Sequence, residues 1–139
     1  MSNTAQNGQA FRFRLDLASG VPVYRQIIDQ VLGGIAAGAL PPGMQLPTVR
    51  QVAVDLAINP NTVVRAYREL EIRAVLETQQ GTGTFISRQR IKRDDLERRR
   101  QLNQIVNEFV SRAGAAGFTV ADLMEQLKDV ASDSSQKRR

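Results

Sequence analysis

A proline set between two asparagines constrains this chain more than any other local feature. In Asn59-Pro60-Asn61-Thr62-Val63-Val64-Arg65-Ala66-Tyr67-Arg68-Glu69-Leu70, Asn59 is a strong N-cap and Pro60 suits the first helical position, where no backbone N–H is needed. Proline also drives the residue before it toward the extended conformation that an N-cap requires. At 100° per residue, Val63, Ala66, Tyr67 and Leu70 share one apolar face, with Asn61, Thr62, Arg65 and Arg68 opposite. The expectation is a sharply started helix whose outer face carries amides, a hydroxyl and guanidinium groups. Those groups hydrogen-bond base edges and phosphates. Alone, such a helix is equally an ordinary solvated amphipathic helix, so its neighbours decide.

Upstream, Thr48 and Gln51 stand at capping-box spacing before a short helix ending at Leu56, with Val52, Ala53 and Leu56 facing inward. Only Ala57 and Ile58 separate it from the Asn59 cap, which makes the pair a helix-turn-helix. Before it, residues 22–37 place Val23, Ile27, Val31 and Ile35 on one stripe, and Gly38 ends that helix. Pro41-Pro42-Gly43 then turns the chain into a short extended piece, Met44-Gln45-Leu46. Downstream, Val75–Thr78 and Thr84–Ser87 read as two strands around Gln79-Gln80-Gly81-Thr82-Gly83. A Gly-x-Gly hairpin in isolation is a plain turn. Directly after a helix-turn-helix it is a wing, whose glycines allow close approach to a sugar-phosphate chain. The fold class expected is mainly α with a small β wing, a winged helix-turn-helix over residues 21–87.

Pro22-Val23-Tyr24-Arg25-Gln26-Ile27, Gly38-Ala39-Leu40-Pro41-Pro42-Gly43, Leu46-Pro47-Thr48-Val49-Arg50, Asn61-Thr62-Val63 and Gly81-Thr82-Gly83-Thr84-Phe85 resemble, in order and interval, the GntR family of bacterial transcription regulators. The Asn-Pro-Asn-Thr opening and the short C-terminal portion look most like its YtrA subfamily. The resemblance implies DNA contact by Thr48 and Arg50 of the second helix and by the wing tip, Gly81, Thr82, Gly83 and Thr84. Other subfamilies usually carry arginine where this chain has Pro60, and some a second where it has Val64. Base readout here is therefore expected from Asn59, Asn61, Thr62 and Arg65, with Arg68 beside them.

At 139 residues the chain can bury one modest core and a small appendage. With no cysteine and no histidine it lacks disulfides, thiol chemistry and the usual zinc or iron ligands. No metal or cofactor is expected, and general acid–base catalysis has no candidates. No leader and no apolar run near the length of a membrane span is visible, so the expected location is cytoplasmic, nucleoid-associated when bound to DNA. Residues 1–20 are expected to be a flexible N-terminal segment, although Phe11–Leu17 alternates apolar and polar as a strand packed on the domain would. Residues 1–87 hold seven basic and six acidic side chains, whereas 88–100 hold seven and three. DNA binding must therefore depend on a few placed cations, helped by a basic linker over 88–93 that contains Arg88, Arg90, Lys92 and Arg93. That linker is equally readable as the solvated start of a helix.

From 94 to 131 the pattern is helical again. Leu102, Ile105, Val106, Phe109 and Ala113 fall on one stripe, a break is expected over Gly114–Gly117, and Thr119 caps a second helix with Asp122 at the capping-box position. Phe118 is placed to staple against Leu123, and Leu123 and Leu127 continue an apolar face before a flexible tail over 132–139. A two-helix hairpin is too small for its own core, so it either folds back or pairs with its copy. Pairing suits a reader of two half-sites. The expected dimer interface is Leu102, Ile105, Val106, Phe109, Leu123 and Leu127.

The function expected is a DNA-binding transcription regulator, a repressor that occupies an inverted-repeat operator in double-stranded DNA as a homodimer. The alternative is a winged-helix adaptor that binds protein; the Asn/Thr/Arg face and the Gly-Thr-Gly wing favour DNA. About fifty residues after the wing are too few for a separate ligand-binding domain, which leaves the dimer interface for any small-molecule effector.

Overall fold

Three helices and a wing follow the expected order. In the computed structural model, which describes residues 11–88 and 94–136, α1 spans Val23–Ala36, α2 Val49–Leu56 and α3 Pro60–Ile72. Strands β1 (Leu76–Gln79) and β2 (Gly83–Ile86) pair antiparallel, with Leu76 opposite Ile86 and Gln79 opposite Gly83. Helices α4 (Asp95–Ala115) and α5 (Val120–Gln136) complete the chain. The chain divides into two compact units, one reaching Arg88 and one over Gln89–Asp133.

Local signals set the helix ends. Thr48 Oγ1 accepts from the Gln51 N–H at 3.1 Å, and Asn59 Oδ1 from the Asn61 N–H at 2.9 Å. The Gln51 side chain does not reach back to Thr48; it donates to Asp55 instead, so only half of the capping box forms. After α3, the Val75 N–H bonds the Leu70 carbonyl and the Ala74 N–H the Glu71 carbonyl, a Schellman closure with Ala74 at φ 60° where glycine is usual. Ala57 closes α2 in the same way, at φ 53°.

The core of the first unit gathers Ile27, Ile28 and Val31 of α1, Val52 of α2, Val63, Ala66, Tyr67 and Leu70 of α3, and Leu76 and Ile86 of the wing. Three expectations change here. The segment expected to be flexible as far as residue 20 belongs, from Phe11, to this domain, and Phe13 is in the core. It forms no strand. Its extended backbone is held by side chains of α1: Gln26 accepts from the Asp16 N–H and donates to the Asp16 and Val21 carbonyls, and Gln30 brackets the N–H and carbonyl of Arg14. Glutamine amides thus do the work of a neighbouring strand, which satisfies the backbone without a sheet. Gly34 makes the fit possible, since a Cβ there would lie 2.8 Å from Leu40 Cδ1 and 3.2 Å from Phe11 Cε2. Second, Met44–Leu46 joins the wing: Gln45 bridges Phe85, the Leu46 N–H bonds the Thr84 carbonyl, and the Ile86 N–H bonds the Met44 carbonyl. Third, Arg88, expected in a basic linker that contacts DNA or starts a solvated helix, lays its guanidinium over the turn glycine Gly43. The rest of that linker, with Arg90, Lys92 and Arg93, lies outside the described residues.

In the second unit, α4 runs through Gly114 to Ala115 and is closed off at Gly117, where φ is 87°, by the Phe118 N–H on the Ala113 carbonyl. The break expected over Gly114–Gly117 narrows to the one glycine whose backbone needs positive φ. The Thr119–Asp122 box forms in both directions, at 2.8 and 3.1 Å. Accepting from the Thr119 N–H holds the Asp122 carboxyl below its ordinary range. Phe118, expected to staple against Leu123, is left 59% exposed. Helix α5 continues to Gln136, so residues 132–136, expected in a flexible tail, are helical. The two helices do not pack along each other as a hairpin. Leu102, Ile105, Val106 and Phe109 of α4 and Leu127 of α5 are exposed, Leu123 is half-buried, and Ala113 alone of the α4 stripe is buried.

Candidate nucleic-acid interface

Helix α3 buries the four residues expected to face inward, so its polar residues are forced outward. Asn61, Val64, Arg65, Arg68, Glu69 and Ile72 line one open groove along it. Three of the expected contact residues, Asn61, Arg65 and Arg68, are therefore brought together. Asn59 is exposed at the helix start, where its side-chain oxygen accepts the cap bond, leaving one lone pair and the NH₂ for a base edge. Thr62 is half-buried beside Val63. Thr48 likewise uses its hydroxyl on a cap, while Arg50, in the first turn of α2, is exposed.

Charge is sorted along the chain. Among the described residues the ion pairs are Arg25–Asp29 at 3.4 Å and Arg73–Glu69 at 2.7 Å. Arg50, Arg65 and Arg68 take no part in these pairs, so their charge is not neutralised by a carboxylate and stays available to phosphate or base. Glu69 borders the groove, but its carboxylate is engaged by Arg73 at the far end of the helix.

Two contacts tie α3 and the wing to the segment around Pro47. The Tyr67 hydroxyl, on the buried face of α3, donates to the Pro47 carbonyl at 2.6 Å, directly before the start of α2. Burial pushes this phenol far above its ordinary range. A folded-state value above the unfolded one, near 10, means that the contribution is intact below about pH 10 and lost as pH rises from there. Tyr67→Phe should cost about 1–2 kcal/mol of stability at neutral pH, because the Pro47 carbonyl loses its donor. It should also flatten the fall in stability above pH 10. Urea titrations at pH 7 and pH 10.5 measure both, and an unchanged alkaline slope would contradict the assignment.

The second contact is at the wing. Gly81 takes φ 76° in the turn closed by the Thr82 N–H and Gln79 carbonyl, and Gly83 takes φ 140°. Beside them the Gln45 amide donates to the Thr82 carbonyl at 3.1 Å, and a Cβ on Gly83 would come within 2.5 Å of that amide. Gly81 and Thr82 are exposed at the tip, whereas Gly83 and Thr84 are half-buried. Thr78 donates to the Glu71 carboxylate, which ties β1 to the last turn of α3. Sequence reasoning missed the part played by Gln45. Its only signal was its place in the extended piece before Pro47.

Residues 23–86, which hold the helix-turn-helix and the glycine-tipped wing, match the family model described as bacterial regulatory proteins, gntR family. An HTH-type transcriptional regulator of Mycobacterium tuberculosis (strain ATCC 25618 / H37Rv) is 44% identical over 120 residues, covering 86% of this chain and 94% of that protein. The chain belongs to the GntR family. The HTH-type transcriptional repressor YtrA of Bacillus subtilis (strain 168) is 35% identical over 121 residues, 86% of this chain and 92% of its own length, so this GntR regulator is YtrA-like. Among solved structures, a transcriptional antiterminator from Listeria monocytogenes EGD-e superposes with a TM-score of 0.65 at 27% identity, covering 89% of this chain and 92% of that one. As a GntR protein the chain is a DNA-binding transcription regulator, and this family is not an enzyme class. Among the described residues no group of acidic side chains could hold a metal, and no helix is long and apolar enough to cross a membrane.

Proposed function

We propose that this GntR regulator is a cytoplasmic repressor that occupies an inverted-repeat operator as a homodimer, one α3 in the major groove of each half-site. The observation that carries this reading is the pair of uncovered apolar faces on α4 and α5, flanked by charged side chains and unable to make a core within one chain. A second copy supplies the same stripe by two-fold symmetry, which matches the symmetry of an inverted repeat. Asn61 and Arg65 read base edges from the first turns of α3; Arg50, Arg68 and the wing tip hold the backbone. Repression follows by occlusion. An effector would act by rotating one subunit against the other, which changes the separation of the two α3 helices.

Asn61→Ala or Arg65→Ala should then weaken binding to the operator by roughly 1–3 kcal/mol and to random DNA much less. Genome-wide occupancy supplies the operator, and titrations of that operator and of a scrambled duplex supply the comparison. Equal losses on the two DNAs would reassign these side chains to phosphate contact, and no loss on either would remove α3 as the reader.

A further inference from the structure

We infer that Tyr24 of α1 is a positioning residue for DNA reading, because its ring holds the Arg65 guanidinium ready for a base edge. The inference rests on the reading of α3 given above. The guanidinium carbon of Arg65 lies 3.7 Å from the centroid of the Tyr24 ring. A guanidinium stacked on an aromatic ring spends its flat face on the ring, while its five N–H donors lie in the plane and point outward. The Arg65 donors remain uncommitted, since the ion pairs among the described residues are Arg25–Asp29 and Arg73–Glu69. Arg65 is exposed at the groove it shares with Asn61 and Arg68. An exposed arginine ordinarily samples many rotamers and must give up that freedom on binding. The stack removes part of that cost before DNA arrives, and preorganisation of this kind strengthens the specific complex rather than binding in general.

The placement follows from the fold. Tyr24 is in the first turn of α1 and half-buried, and α1 packs along α3, so the ring stands beside the outer face of α3 without entering the core. Arg50 and Arg68 have no such ring contact among the described residues. Arg65 is thus singled out as the arginine whose direction is set in advance.

Tyr24→Leu removes the ring and keeps apolar bulk; Tyr24→Phe keeps the ring. In the DNA-free protein, the Arg65 side-chain N–H resonance should show a ring-current shift that Tyr24→Phe retains and Tyr24→Leu abolishes. Operator affinity should fall roughly three- to thirty-fold in Tyr24→Leu and stay within about two-fold in Tyr24→Phe, with random DNA changed by less than about two-fold. In an Arg65→Ala background, Tyr24→Leu should add nothing beyond about two-fold. Equal losses in both backgrounds would make Tyr24 a merely structural residue and overturn the inference. So would a missing ring-current shift, or tighter operator binding by Tyr24→Leu. An Arg65→Ala protein that binds operator as tightly as the parent overturns the reading of α3 beneath it. A normal Arg65→Ala loss with Tyr24→Leu silent overturns this inference alone.

Discussion

Phe109→Asp should turn the protein into a monomer and weaken its hold on a full operator by a hundred-fold or more. Phe109 lies midway along the α4 stripe, 42% exposed in the single chain, with Ile105 and Val106 one turn before it. If a second copy covers that stripe, the new carboxylate is forced out of water without a partner, a cost of several kcal/mol. Each recognition unit must then find its half-site alone. The lost tethering is on the order of a hundred-fold or more in affinity. Sedimentation gives the mass, and titration of full against half operator gives the coupling. The half operator should bind Phe109→Asp and parent subunits alike, which separates lost assembly from a damaged reader. A Phe109→Asp protein that remains dimeric, or that binds the full operator as tightly as the parent, would remove α4 from the dimer interface.

The second large effect is expected at the opposite end of the chain. Phe13→Ala should cost about 3–5 kcal/mol of folding stability, the usual range for deleting a buried phenylalanine. Phe13 is 8% exposed, meets Phe11 edge-on at 5.0 Å between ring centroids, and joins the core formed by the three helices and the wing. Small domains hold only about 5–15 kcal/mol in total, so this loss should be visible as a large drop in melting temperature. Removing everything before Val21 should do at least as much damage, because Gln26 and Gln30 would also lose the backbone groups that they bracket. Thermal and urea unfolding of both proteins decide the matter. A melting curve unmoved by Phe13→Ala would return residues 11–20 to the role of a dispensable leader.

The same segment shows where sequence reasoning stops. Alternation over Phe11–Leu17 was visible, and it pointed to packing on the domain. It could not show that the backbone partners would be two glutamine side chains of α1 rather than a strand, because alternation reports a buried face and not what satisfies the N–H and carbonyl groups. Gln26 had been invisible as a core residue, since glutamine is normally exposed. The same holds for Met44–Leu46, legible as extended but not as the neighbour of β2, and for Tyr24, legible only as part of a family motif.

The sequence by itself determined the parts whose physics is local. The caps of α2 and α3, the inward face of α3, the glycine-tipped wing and the Thr119–Asp122 box each depend on residues within a few positions of one another, and spacing reports such contacts directly. Tertiary structure decided what meets what across the chain. It placed Arg65 over Tyr24, Gln45 under the wing tip and Arg88 on Gly43. It also left the stripes of α4 and α5 exposed, where their spacing leaves open whether the hairpin folds back or pairs with its copy. A stripe of apolar residues specifies that a face must be buried; only the summed packing of distant elements specifies against which surface.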